Sequence, residues 1–254
     1  MNRMKRFGTV GLLGMGLIFS VLTSVRLEAE EGEAMSGDAI MDIVRGSYVG
    51  EDFEVDGQLR VASSRLFGSG SRQPFKMTGQ PGYIQFVFSQ SGDVLQVDMT
   101  GARPVVREAK GGALAVVPAE RYGEQVMGVP VLFEDLAMRY FYWPATGVLG
   151  EETVQGDKCW IVEVKNPGVG GPYGKARLWI GQKSGAVLKM EGYDANGKRV
   201  KEFKVISVHT VDGMWMFKSV GIESFDPVTG KKAGEKVYLE TSNPRKAGSP
   251  MRKR

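Results

Sequence analysis

Between residues 175 and 225 the chain reads as a series of hairpins with almost nothing between them. This stretch constrains the fold more than any other. The segments "KARLWIG", "AVLKMEGY", "KRVKEFKVISVHTV" and "MWMFKSVGIESF" are separated only by turns at "KSG", "ANG" and "VDG". Asn-Gly and Asp-Gly accept the positive φ that tight hairpins require, so consecutive strands become antiparallel neighbours. The same pattern extends in both directions. Upstream lie "EDFEVDGQLRVASS", "YIQFVFS", "GALAVVP" and "DVLQVDMT", in which Leu95, Val97 and Met99 share one face. In "DKCWIVEVKNP", Trp160, Val162 and Val164 alternate with Cys159, Ile161 and Glu163. Downstream, a hairpin around "DPVTGKKAGEK" delivers "KVYLET". About eleven strands joined by short turns predict a mainly β chain, a meandering antiparallel sheet that curls and needs cover on its concave face. A period of two marks alternation and not direction, so either face could be the concave one.

The first 29 residues are set apart from this pattern. Arg3, Lys5 and Arg6 precede an apolar run from Phe7 to Val25, and Ala29 is a small residue placed for cleavage. This is the layout of a secretory signal peptide, with an uncleaved anchor in the inner membrane as the competing reading. Four glycines in the run and the acidic "EAEEGEAMSGD" after it favour export and cleavage. The expected organisation is a signal peptide at 1–29, one ligand-binding domain at 30–244 and a basic disordered tail at 245–254. Loss of 1–29 lowers the formal charge from +4 to +1, and the tail carries five more positive charges. The basic pI therefore resides at the two ends and not on a folded face, which argues against a nucleic-acid partner. Cys159 is the only cysteine, so no intramolecular disulfide can form and the core alone must hold the fold.

Groups that could do chemistry are few. His209 is the sole histidine and alternates in phase with Val205 and Val211 beside a turn, as a structural strand residue does. One His and one Cys cannot supply a Ser-His-Asp triad on a nucleophile elbow or a zinc cluster in the usual way. "GVGGPYGKAR" fails the phosphate-loop spacing, because Val169 and Ala176 stand where Gly and Ser or Thr are required; it reads as a flexible inter-strand loop. The neighbouring carboxylates Glu134/Asp135 and Glu151/Glu152 are expected to point apart. These readings predict a noncatalytic protein with no metal and no cofactor.

The apolar inventory is richer. Ten methionines follow residue 29, together with Trp143, Trp160, Trp179 and Trp215. Methionine adapts to variable apolar ligands, and a wide curled sheet exposes more inner surface than a few helices can bury. Two short helical segments are predicted. One is "SGDAIMDIVRGSY", capped by Ser36 or Asp38. The other is "FEDLAMRYFYWP", where Phe133, Leu136, Ala137, Tyr140 and Phe141 form one apolar stripe and Pro144 stops the helix. A helix this short is marginal in water, so its stripe must pack on something. It is read as a cover on the sheet, either fixed core or a lid that opens. Phe133, Leu136, Tyr140, Phe141 and Trp143 are assigned to the cover, and Met99, Trp179, Met190 and Met216 to the lining of a hydrophobic cavity.

The stretches "FEDLAMRYFYWPATGVLGEETVQGDKCWIVEVKNP" and "YGKARLWIGQKSGAVLKMEGYDANGKRVKEFKV" resemble the bacterial outer-membrane lipoprotein-sorting proteins of the LolA/LolB-like group. The likeness rests on the Asp-Leu helix running into Trp-Pro, the Gly-Glu-Glu and Gly-x-x-Cys strands, the "LWI" strand and the "YDANGK" hairpin. It covers roughly residues 130–240, and residues 40–120 in outline. The chain departs from the typical carrier in its length and basic tail. The resemblance implies an unclosed antiparallel β-barrel capped by helices, whose apolar interior receives acyl chains of lipoproteins or other hydrophobic ligands in the periplasm. It also implies an inner-membrane transporter and an outer-membrane acceptor as partners. A second reading of the same fold is an envelope sensor or assembly factor that binds a protein partner.

Overall fold

A computed structural model describes residues 35–47, 52–62, 71–211 and 214–246. Residues 1–29, read from sequence as an export segment, residues 247–254 of the expected tail and the Asp-Gly of the turn at 212–213 lie outside the described residues. Helix α1 (Gly37–Ser47) is followed by β1 (Phe53–Val61), β2 (Arg72–Gln80), β3 (Tyr83–Phe88), β4 (Val94–Asp98), β5 (Val105–Ala109) and β6 (Ala115–Val116). A crossover then carries a 3-10 turn at Ala119–Gly123, helix α2 (Phe133–Ala137) and a second 3-10 turn at Arg139–Tyr142. The second strand set is β7 (Ala145–Val154), β8 (Asp157–Lys165), β9 (Lys175–Gly181), β10 (Val187–Tyr193), β11 (Arg199–Val211), β12 (Met214–Phe225), β13 (Lys232–Thr241) and β14 (Arg245–Lys246).

These strands form one antiparallel sheet in the order β6-β5-β4-β3-β2-β1-β13-β12-β11-β10-β9-β8-β7, with β14 beside β1. Each set is a meander, and the two are joined where β1 pairs β13 in the register Leu59↔Leu239 and Val61↔Val237. Strands β6 and β7 are neighbours in sequence yet occupy opposite edges, so the sheet is unclosed. Among the described residues it has fourteen strands, where eleven or so are expected. The additions include β2, which contains Pro74; β7, expected only through the Gly-Glu-Glu of the resemblance, contains Gly147 and Gly150. Proline and glycine argue against strands locally, and pairing with β1 and β8 overrides them. Arg245 and Lys246, read as the start of the tail, pair with Glu54 and Phe53. Arg245 also bonds Glu54 and Asp56.

Register identifies the inner face. Directly opposed residues point to the same side of an antiparallel sheet. One such row runs Val162, Leu178, Met190, Phe203, Ile222, Val237, Val61 across seven strands. A second runs Val55, Met77, Phe86, Leu95. All but Phe203 in these rows are buried, and Phe203 packs against both of the two hydrophobic clusters that hold most of the buried apolar side chains. The other face carries Glu163, Arg177, Glu191, Glu202 and Glu223 in opposed positions, paired with Lys175, Lys189, Arg199, Lys232 and Lys236. The Val162/Val164 side of β8 is thus inner and the Glu163 side outer.

Curling follows from what the crossover touches. Tyr122 accepts a bond at its hydroxyl from Val106 N–H of β5 (3.2 Å), while Lys201 of β11 lies 3.6 Å from Asp135 of α2. Seven strand spacings would separate β5 from β11 by roughly 34 Å in a flat sheet. The two contacting pieces lie side by side, because Phe133 N–H donates to the Glu124 carbonyl (3.1 Å) and the Arg139 guanidinium sits 3.8 Å from the Tyr122 ring centroid. One compact segment can meet both strands only if the sheet wraps around it.

Candidate functional site

The crossover and α1 together cover the inner face. Helix α1 begins where Ser36 Oγ accepts from Ala39 N–H, so Ser36 is its cap; Asp38 instead accepts from Ala145 N–H of β7. Its buried stripe Ile40, Met41 and Val44 packs with Tyr140, Phe141 and Trp143 over Val162, Leu178 and Met190. Edge-to-face contacts join Tyr140 to Phe141 and to Trp143, at centroid distances of 5.0 and 6.3 Å. Phe133, Leu136 and Ala137 join the larger cluster beneath the rest of the sheet, with Val55, Leu59, Phe75 and Ile222.

The single stripe expected over 133–143 is therefore divided. Met138 adopts φ 49° and ψ 36°, a left-handed conformation that ends α2 and shifts the phase of the following 3-10 turn. Phe133, Leu136 and Ala137 before Met138 enter one cluster, and Tyr140, Phe141 and Trp143 after it the other. Of the residues assigned from sequence, Phe133, Leu136, Trp179 and Met216 belong to the larger cluster. Tyr140, Phe141, Trp143 and Met190 belong to the smaller one, and Met99 is buried outside both. Trp179 lies on the opposite face of β9 from Leu178. Its indole N–H donates to Glu152 (2.6 Å) and the Lys189 ammonium sits 3.9 Å from the ring centroid.

Between the two clusters the crossover buries charge. Glu134 is fully buried and pairs with Arg139, whose guanidinium lies 3.8 Å from the Tyr122 ring centroid. Arg139 also donates to the carbonyls of Val169 and Gly170. Asp135 points the other way, accepting from Leu132 N–H (2.8 Å) and from the Tyr173 hydroxyl, with Lys201 beside it. Lys201 donates to the Pro130 carbonyl (2.8 Å) and Ser224 Oγ (3.1 Å). Burial pushes the Glu134 and Asp135 carboxyls above their ordinary range, against the pull of their cationic partners. Burial, reinforced by the Asp135 charge, raises the Tyr173 phenol well above its usual value. An ion pair placed here adds little net stability, but removing one partner strands a charge in the core.

The glycine-rich loop read as flexible is fastened to this cluster. Asn166 holds it from both sides, donating to the Gly170 and Tyr173 carbonyls and accepting from Gly168 and Val169 N–H. Gly171 has φ 96°, and a Cβ there would lie 2.5 Å from Arg139 Nη2 and 2.7 Å from Glu134 Oε2. Gly171 is required by close approach to an ion pair rather than by a phosphate. A hollow of about 280 Å³ opens beside the cluster, with Leu132, Pro172, Tyr173, Val200 and Lys201 on its walls.

The neighbouring carboxylates diverge, Glu134 from Asp135 as described and Glu151 toward Lys158 while Glu152 meets Trp179. Cys159 is fully buried, and burial raises its thiol. His209 Nε2 meets the Thr241 carbonyl at 3.0 Å, a strand-to-strand tie. Among the described residues, no group of three His, Cys, Asp or Glu is placed to hold a metal ion. Lys201, Tyr173 and Gly171 had not been singled out from sequence. A lysine two positions before inward-facing Phe203 was the available indication for Lys201.

The arrangement defines a class: an unclosed antiparallel barrel whose apolar interior is covered by short helices and one crossover. Solved structures place that class. A DUF1329 family protein from Desulfovibrio piger matches with TM-score 0.67 at 16% identity, over 85% of this chain and 93% of that one. A domain described as an outer-membrane lipoprotein-sorting protein from Vibrio parahaemolyticus matches with TM-score 0.67 at 15% identity, over 85% and 95%. A LolA superfamily protein from Nitrosomonas europaea matches with TM-score 0.61 at 14% identity, over 85% and 96%. The chain has the fold of the LolA-type lipoprotein-sorting domains. A family profile described as uncharacterized-protein-like matches residues 115–237, and no curated protein matches in sequence.

Proposed function

We propose that this protein is a noncatalytic periplasmic carrier or binder of acyl chains, working in outer-membrane lipoprotein sorting. The observation that supports this most is the inner apolar row, which crosses seven strands and, among the described residues, is covered by α1 and the crossover. Displacing that cover by an acyl chain would exchange one apolar contact for another, with about 0.8 kcal/mol gained per CH₂ buried. The hollow beside Leu132 and Tyr173 is the natural point of entry. Phe133, Leu136, Tyr140, Phe141 and Trp143 would move or repack as cover, and Met190 and Met216 would line the chain's path, with Met99 at its margin. On this reading residues 1–29 direct export and are removed, and residues 30–244 form the lipid-binding domain. Its partners would be an inner-membrane transporter and an outer-membrane acceptor.

The test is displacement of a bound fluorescent fatty acid by a lipopeptide, with native mass spectrometry of protein purified from a bacterial envelope. Competitive displacement and a co-purifying acyl species are expected. Absence of both would overturn the carrier reading in favour of a protein-binding role for the same fold.

A further inference from the structure

The outer face of β2–β5 carries a feature that acyl binding does not use. Two adjacent rows of opposed side chains run across it. One is Thr78, Gln85, Gln96, Arg107 and the other is Gln80, Tyr83, Asp98. All but Gln80 are half-buried, and together they line a hollow of about 470 Å³. The rows lie on the face opposite Met77, Phe86 and Leu95, so the hollow is separated from the covered interior by the thickness of the sheet.

Its chemistry is specific. Asp98 is fixed by Thr100, which donates from both its backbone N–H and its hydroxyl, and by Arg107 at 2.8 Å. The carboxylate and the guanidinium cancel, so the hollow has no net charge and no lysine. Among the described residues, the carboxamides of Gln80, Gln85 and Gln96 and the Tyr83 hydroxyl have no hydrogen-bond partner. Each carboxamide offers two donors and an acceptor, and the phenol offers one of each. An apolar ligand would desolvate these groups without replacing their bonds. An anion would meet the Asp98 carboxylate. A neutral ligand with closely spaced hydroxyls satisfies donors and acceptors together, and the Tyr83 ring supplies an apolar surface for a sugar ring. The two rows span about 14 Å across four strands by about 7 Å along them, the footprint of a short oligosaccharide.

We infer that this hollow is a second binding site, for a neutral saccharide, on the face opposite the acyl site. The full chain would be titrated with maltotriose, cellotriose and the trimer of N-acetylglucosamine, with inorganic phosphate as an anion control. Backbone amide NMR shifts would report binding. At least one sugar is expected to give saturable shifts confined to β2–β5. In a Gln85→Ala/Gln96→Ala variant, affinity should fall at least tenfold while the unfolding midpoint stays at the parent value. Should that variant fail to fold, Gln80→Ala, at an exposed position, is expected to weaken binding at least threefold. The proposal is overturned if no sugar gives saturable shifts, if the shifts map elsewhere or survive in the variants, or if phosphate alone binds there. Fatty-acid displacement is read at the other face, so either site can fail without the other.

Discussion

At the scale of single residues, the buried charges govern what substitutions do. Gly171 combines a positive φ with a backbone pressed against the Glu134–Arg139 pair. Gly171→Ala adds backbone strain and drives a methyl into that pair. It is expected to lower unfolding free energy by at least about 2 kcal/mol in urea denaturation, whereas a flexible-loop glycine would tolerate the change. Glu134 gives a pH-dependent prediction. Burial raises its carboxyl above 4.5, so the folded chain holds this proton more tightly than the unfolded chain does. The resulting stability is fully present below pH 4.5 and is lost as pH rises through the folded value. Glu163 and Glu191 on the outer face behave oppositely, because Lys and Arg partners hold them low, but they are common to parent and variant. Wild type minus Glu134→Gln, measured by denaturation from pH 4 to neutrality, should therefore be most favourable to wild type in acid. A flat difference would show that folding leaves this carboxyl unshifted, and an inverted one that Arg139 outweighs burial and holds it low.

At the scale of elements, Met138 is the decisive position. A continuous helix over 133–143 would send one stripe to one place. The left-handed Met138 sends Phe133 and Leu136 to the larger cluster and Tyr140 and Phe141 to the smaller, so a five-residue helix and a 3-10 turn jointly cover two regions. Met138→Gly removes the Cβ penalty at the cost of some apolar contact and should stay within about 1 kcal/mol of wild type. Met138→Val places a β-branched side chain in the same conformation and should cost about 1–2 kcal/mol more, read from the denaturation midpoint. A glycine variant less stable than the valine variant would mean that side-chain packing, not backbone conformation, sets this break. Apolar spacing predicted that the segment is covering and amphipathic. It could not reveal the break, because methionine carries no sign of a left-handed residue and the conformation is imposed by packing on either side. Strand β2 escaped the sequence reading for a related reason, and β7 was legible only through the Gly-Glu-Glu of the family likeness: Pro74, Gly147 and Gly150 are poor local strand formers that partner strands conscript.

At the scale of the whole molecule, the sequence by itself determined the antiparallel meander. Turn residues at "KSG" and "ANG" and a period of two are local properties, and local steric preference suffices to set neighbour pairing. It also determined that Cys159 and His209 sit within strands, and that the stretch before Trp-Pro packs on apolar surface. Tertiary structure alone decided which face is inner, because alternation has no direction until the β1–β13 pairing and the crossover place cover on one side. That decision put Val162, Leu178 and Met190 on the inner face and Trp179 on the other, where it stays buried against Glu152 and Lys189. It also brought Glu134, Asp135, Arg139, Tyr173 and Lys201 into one buried cluster from positions up to 67 residues apart. Long-range pairing of this kind is set by how the sheet curls, which no window of sequence contains. The covering stretch before Trp-Pro therefore has its ion pairs buried only when β11 and the glycine-rich loop close around it.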